Sequence, residues 1–120
     1  MVEAAAQEFD YIVIGAGSGG MASGRRAAAM GKRVCMIENR VIGGTCVNVG
    51  CVPKKVMLNL ANFWEDAHHV MPNYAVNGTQ GLKLDFQKFK SARDAYVLRL
   101  NGIYQKNLAA SDVEYVQGFA

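Results

Sequence analysis

A chain of 120 residues has room for one domain and a modest core. With 51% apolar residues and a net charge of +3 it reads as globular, and its basic residues are scattered rather than gathered into a nucleic-acid-binding arm. No apolar run reaches the roughly 18 residues of a membrane span, so neither a membrane nor a nucleic acid is expected as partner.

The opening residues "MVEAAAQEF" carry Glu3 and Glu8 and no basic residue, unlike a signal peptide or an Arg-rich transit peptide. The expected location is cytoplasmic, with a mitochondrial form as the alternative although no transit peptide is seen. Residues 9–15, "FDYIVIG", form a short β-branched and aromatic run that predicts a strand buried on both faces. An alanine-rich segment follows and predicts a helix stopped by Gly31. Residues 32–38, "KRVCMIE", predict a second buried strand. Strand, helix and strand in about 30 residues make a βαβ unit with a parallel pair. The fold class is therefore α/β, with a Rossmann-like βαβ unit.

The turn of that unit holds "GAGSGG", which places Gly15, Gly17 and Gly20 in the GxGxxG pattern. Gly15 suits a tight turn, Gly17 a close approach of backbone to pyrophosphate, and Gly20 close packing of helix on strand. The helix start offers free N–H groups to phosphate oxygens. Glu38 ends the second strand, 18 residues beyond Gly20. A carboxylate there suits ribose hydroxyls and disfavours a 2′-phosphate.

Residues 43–55, "GGTCVNVGCVPKK", follow. Three cysteines, an odd number, do not make the disulfide framework of a secreted domain. Cys46 and Cys51 are too widely spaced for a CxxC zinc knuckle, Cys35 falls in a predicted buried strand, and His68 and His69 adjoin each other at a predicted helix end. No metal site is expected. On a regular helix, residues five apart have Cα atoms roughly 8.6 Å apart, beyond the ~7 Å that a disulfide spans. If Cys46 and Cys51 bond, their segment must be irregular, which Gly43, Gly44 and Gly50 permit. Pro53 starts a helix just behind and leaves Cys51 near its N-terminus, where the dipole, with the charges of Lys54 and Lys55, favours a thiolate. Two inert buried thiols are the plainer reading, but it leaves the glycines and lysines without a role. A dinucleotide cradle followed at once by a dithiol reads as a flavin disulfide reductase, in which the flavin passes electrons to the cysteine pair and the pair passes them on by thiol–disulfide exchange.

The helix from Pro53 is expected to reach about residue 69, and residues 70–84, with Pro72, Gly78 and Gly81, read as a loop. Asp85 reads as an N-cap. The helix it opens runs to about residue 110, with Phe89, Ala92, Tyr96, Leu100, Ile103 and Tyr104 near one face. "VEYVQGFA" predicts a third strand. Three strands leave two edges to cover, so the chain reads as the first part of a larger protein.

"YIVIGAGSGG" together with "GGTCVNVGCVPKK" closely resembles the N-terminus of the pyridine nucleotide–disulfide oxidoreductases. Lipoamide dehydrogenases and mercuric reductases usually show PSK where this chain has Pro53-Lys54-Lys55. No insertion of the thioredoxin reductase type separates Glu38 from the cysteines. "ARDAYVLRLNGIYQKNL" (residues 92–108) is similar to the corresponding helix of the glutathione reductase branch. The resemblance implies the N-terminal part of an FAD-binding domain over residues 1–120, with the redox-active disulfide loop at 43–55. The NADPH and dimer-interface domains, with the acid/base histidine, would lie outside it.

The resemblance further implies that Cys46 is the interchange thiol and Cys51 the thiol against the flavin. Lys54 would lie near the flavin ring. Gly15, Gly17, Ser18, Gly19, Gly20, Glu38, Thr45, Cys46, Lys54 and Ala120 would touch FAD. Ser18, Arg25, Tyr96 and Tyr104 would surround glutathione disulfide. From pattern alone, Arg25 beside Arg26 reads as a solvated face, and the two tyrosines as core. The implied activity is NADPH-dependent reduction of glutathione disulfide by a homodimer, the 120-residue segment alone being inactive. The alternatives are a related reductase acting on thioredoxin or another small disulfide, or a truncated, non-catalytic product.

Overall fold

The computed structural model describes residues 7–120; the reading of the first six residues as no targeting segment lies outside them. Strand β1 (Tyr11–Ile14) leads into helix α1 (Ser18–Ala29) and strand β2 (Val34–Glu38). A short helix α2 (Gly44–Asn48), the longer α3 (Cys51–Glu65) and α4 (Phe86–Ala109) precede strand β3 (Val113–Gln117). The sheet is parallel throughout, in the order β1-β2-β3, with Val13 beside Met36 and Met36 beside Tyr115. This is the expected α/β architecture.

Successive strands laid side by side through crossovers of one hand put all their helices on one face. The core forms there: Val13, Ala16, Met21, Val34, Met36, Ile42, Leu108 and Val113 make one buried cluster, edged by Tyr104 and Tyr115. The other face carries Ile12, Ile14 and Val116, which are exposed. The expectation that β1 is buried on both faces is therefore corrected: only Val13 of its four residues is buried. β2, flanked on both sides, is the strand that fits the description.

Three further expectations change. The helix foreseen from Pro53 begins two residues earlier, at Cys51, and after Glu65 widens into a π-helical turn (Asp66–Val70). There the His68 ring stacks on Trp64 with centroids 4.4 Å apart and its Nδ1 lies 2.9 Å from the Trp64 carbonyl oxygen. The loop of residues 70–84 contains two short 3-10 turns, Met71–Tyr74 and Thr79–Gly81. On α4 the inward face is not the one foreseen. Ala92, Tyr96 and Ile103 are exposed, whereas Asn101 and Leu108 are buried. Asp85 caps α4 as expected, accepting a hydrogen bond from the Lys88 N–H (2.9 Å).

The helices α3 and α4 project from the sheet as an arm. The Cα radius of gyration is 21.1 Å and the molecule extends over 72 × 33 × 19 Å, against roughly 14 Å for a compact domain of this length. Within the arm α3 has no buried residue, and Met57, Leu58, Phe63 and Trp64 stay exposed.

Candidate active site

The cradle is built on the β1–α1 turn. Gly15 has φ +101°, which only glycine adopts readily, and its N–H donates to the Ile37 carbonyl (2.7 Å). The first bond inside α1 runs from Met21 N–H to Gly17 O (2.9 Å), so the N–H groups of Ser18, Gly19 and Gly20 have no intrahelical acceptor. Gly20 meets the strand closely: a Cβ there would lie 2.0 Å from the Gly15 oxygen and 3.0 Å from Val13 Cγ1. A Cβ at Gly19 would meet nothing within 4 Å, so the helix start faces open space.

Glu38 stands at the C-terminal end of β2, only 9% exposed. Oε2 accepts from the Ala16 N–H (2.9 Å) and Oε1 from the Arg40 N–H (2.8 Å). Burial pushes its pKa up, but the hydrogen bonds from the Ala16, Arg40 and Asn39 N–H groups and the Arg40 charge outweigh it and hold the carboxyl below its usual range. Each oxygen keeps a lone pair for a further donor. Two cavities meet at this carboxylate. One of about 180 Å³ includes Gly15, Gly118, Phe119 and Ala120; the other, about 350 Å³, includes Gly44 and Thr45. An open helix start, an ionised carboxylate with free acceptor capacity and hollows on either side of it fit a dinucleotide.

The cysteine segment rests directly on this cradle. The Gly43 N–H donates to the Ala16 oxygen (2.8 Å). Gly43 and Gly44 have φ of +102° and +63°, and a Cβ on Gly44 would fall 2.7 Å from Gly17 Cα. The chain then makes the single helical turn α2, with Cys46 at its centre, breaks at Val49 and Gly50, and restarts at Cys51. The irregularity that a Cys46–Cys51 bond requires is thus present. Gly50 allows the restart close by, since a Cβ there would meet the Thr45 oxygen at 2.9 Å. Both cysteines are free thiols, Cys46 half-buried and Cys51 exposed. A hydrogen bond shared with Cys51 pushes the Cys46 thiol up, aided by burial and the Cys51 charge; the Cys51 N–H and Lys54 pull the other way without prevailing. Cys35 is buried in β2, and its thiol is pushed up by burial and then by Glu114.

The remaining residues named from the sequence are spread out. Ser18 is exposed at the start of α1. Tyr96 is 40% exposed and shares a cavity of about 550 Å³ with Cys51, Lys54 and Lys55. Arg99 stands over its ring, 5.1 Å from the centroid. Tyr104 packs against the edge of the core. The Arg25 Nε donates to Ser111 Oγ (3.0 Å), tying α1 to the turn before β3. The fold thus sets Tyr96 and Cys51 on one cavity and gives Tyr104 and Arg25 other neighbours.

Two residues at the site went unnoticed in the sequence. Asn48, inside the cysteine segment, donates from Nδ2 to the carbonyl oxygens of Gly44 (2.9 Å) and Ile42 (3.1 Å). Asn101 on α4 donates from Nδ2 to Ile42 O (2.7 Å) and to Asn48 Oδ1 (3.0 Å). A repeat of four through Phe89, Arg93, Val97 and Asn101 was the available signal, hidden by the polarity of two of its members.

A family model described as pyridine nucleotide-disulphide oxidoreductase matches residues 9–118. The chain is 50% identical over 122 aligned positions to a glutathione reductase of Debaryomyces hansenii, covering 97% of this chain and 25% of the relative. It is 53% identical over 120 positions to one of Yarrowia lipolytica, covering 93% and 24%. With one of Schizosaccharomyces pombe the identity is 49% over 113 positions, covering 93% and 24%. The chain spans about a quarter of the length of these curated relatives.

Proposed function

Since the chain belongs to the pyridine nucleotide-disulphide oxidoreductase family, we propose that it supplies the FAD cradle and the redox dithiol of an NADPH-dependent glutathione reductase. The observation that carries this reading is the seat of the cysteine segment on the phosphate loop, through Gly43 N–H on Ala16 O and the Gly17–Gly44 contact. In this reading residues 1–120 are the first part of the FAD domain, and the NADPH site and the homodimer contacts belong to other parts of the enzyme.

The N–H groups at the start of α1 would hold the pyrophosphate, and Glu38 the ribose, with Thr45, Lys54 and Ala120 along the same path. Bound flavin would supply the two-electron chemistry that returns the cysteine disulfide to the dithiol. Cys46, as thiolate, attacks one sulfur of glutathione disulfide and expels the other half as a thiolate that takes up a proton. Cys51 then attacks the Cys46 sulfur of the mixed disulfide, releasing the second glutathione and closing the Cys46–Cys51 bond. Tyr96, beside Cys51, lines the approach.

The test is the visible spectrum of the purified full-length protein before and after NADPH. Flavin absorption that gains a long-wavelength charge-transfer band on two-electron reduction, followed by turnover of glutathione disulfide, supports the reading. A protein without flavin overturns it. A second disulfide substrate belongs in the same assay, because Arg25 and Tyr104 have neighbours other than the dithiol. Reduction of thioredoxin or another small disulfide in preference to glutathione disulfide would move the assignment within the family.

A further inference from the structure

α2 is one turn of five residues. A helix that short has no stability of its own, and it is entered through two left-handed glycines, Gly43 and Gly44. Its orientation, and with it the position of Cys46, must be set from outside. On one side the Gly43 N–H bonds to Ala16 O. On the other stands Asn101, 8% exposed, one of two buried residues on α4. Buried amides persist where their polar atoms are partnered. The Nδ2 of Asn101 donates to Ile42 O, just before the cysteine segment, and to Asn48 Oδ1 within it. Asn48 reaches back to Gly44 O and Ile42 O. Ile42 O thus accepts from both amides, and the Ile42 side chain is sealed in the core at 2% exposure.

We propose that Asn48 and Asn101 are positioning residues that clamp α2 so that Cys46 stays within reach of Cys51, and that they thereby set the dithiol–disulfide equilibrium of the pair. The proposal rests on the redox reading of Cys46 and Cys51. Two thiols held in register form a disulfide as an effectively unimolecular step, and freedom of one partner lowers the effective concentration. In exchange with glutathione disulfide, the two cysteine thiols give up two electrons and two protons. The glutathione S–S bond breaks to give two thiols as the Cys46–Cys51 bond forms. Loosening α2 shifts this exchange toward the cysteine dithiol.

The experiment equilibrates the full-length protein in glutathione buffers of graded ratio, quenches with acid, alkylates the free thiols and weighs the peptides carrying Cys46 and Cys51. Asn101→Leu, Asn48→Ala and the double variant are compared with wild type. Val113→Ala, a core change in β3 that removes no hydrogen bond of either amide, controls for general loss of stability. Either single variant is expected to lower the equilibrium constant for the disulfide about tenfold, which is ~30 mV for a two-electron couple. The double variant should add little, because the two amides act as one unit. Val113→Ala should leave the constant unchanged. Should Asn101→Leu fail to fold, Asn48→Ala and the isosteric Asn101→Asp, which removes the donors, carry the comparison. Wild type that forms the disulfide, with variants that shift no more than Val113→Ala, overturns the clamp alone. Wild type that forms no Cys46–Cys51 disulfide in any buffer overturns the redox reading and the clamp with it.

Discussion

Gly20 shows how little room a single position can have. Its missing Cβ is replaced by a carbonyl oxygen at 2.0 Å, and that oxygen belongs to rigid backbone. Gly20→Ala must push α1 off β1, at the upper end of the ~1–3 kcal/mol typical of overpacking or beyond it; a fall in thermal midpoint with loss of flavin retention checks this. Glu38 carries a pH dependence. Its folded pKa lies below the usual value, so its contribution is complete above the unfolded pKa of about 4.3 and fades as pH falls through the folded one. Glu38→Gln should cost about 1–3 kcal/mol at neutral pH, because one N–H donor then faces an amide NH₂. In urea unfolding the gap between the two proteins should close below about pH 4. For the dithiol, the bond shared with Cys51 is the leading cause of the raised Cys46 thiol. Cys51→Ala should therefore let Cys46 alkylate at lower pH than in wild type, followed by mass spectrometry of its peptide.

Among the elements, β1, α1 and β2 were legible because glycine spacing and apolar runs fix them locally. So was the cap of α4. Asp85→Ala should cost about 1 kcal/mol of helix stability and expose the Lys88 amide to hydrogen exchange, since that N–H is the one the side chain holds. α2 was not legible. A turn entered through two left-handed glycines and left five residues later has no periodicity to read, and its helical form depends on Asn101 of a distant helix. The inward face of α4 departs from its apolar pattern, since Ala92, Tyr96 and Ile103 lie exposed. Asn101 lies on the repeat of four through Phe89, Arg93 and Val97, but the partner that lets its amide be buried, the Ile42 carbonyl, stands 59 residues away in the chain. The irregular course between Cys46 and Cys51 was legible, because Gly43, Gly44 and Gly50 permit it. The place of Tyr104 against the core, and of Arg25 on Ser111, depends on how the helices cross.

For the molecule as a whole, one sheet face and the α3–α4 arm carry exposed apolar groups, among them Ile14 at 76% and Phe63 at 68%. The composition of β1 suits a strand covered on both sides, and these residues cover one. The isolated 120-residue chain should scatter X-rays with a radius of gyration near 21 Å and enhance the fluorescence of an apolar dye; a compact, dye-silent chain would mean that the arm folds back. The contact of Gly17 with Gly44 has a further consequence, for inheritance and for design. The two residues stand 27 positions apart, yet their backbones touch with no side chain between them. A Cβ at 44 would meet Gly17 Cα at 2.7 Å, whereas one at 17 would stand an ordinary 3.7 Å from Gly44 Cα. A chimera whose junction falls between them must therefore keep glycine at 44, so a dithiol grafted onto another nucleotide-binding scaffold has to bring its entry glycine with it.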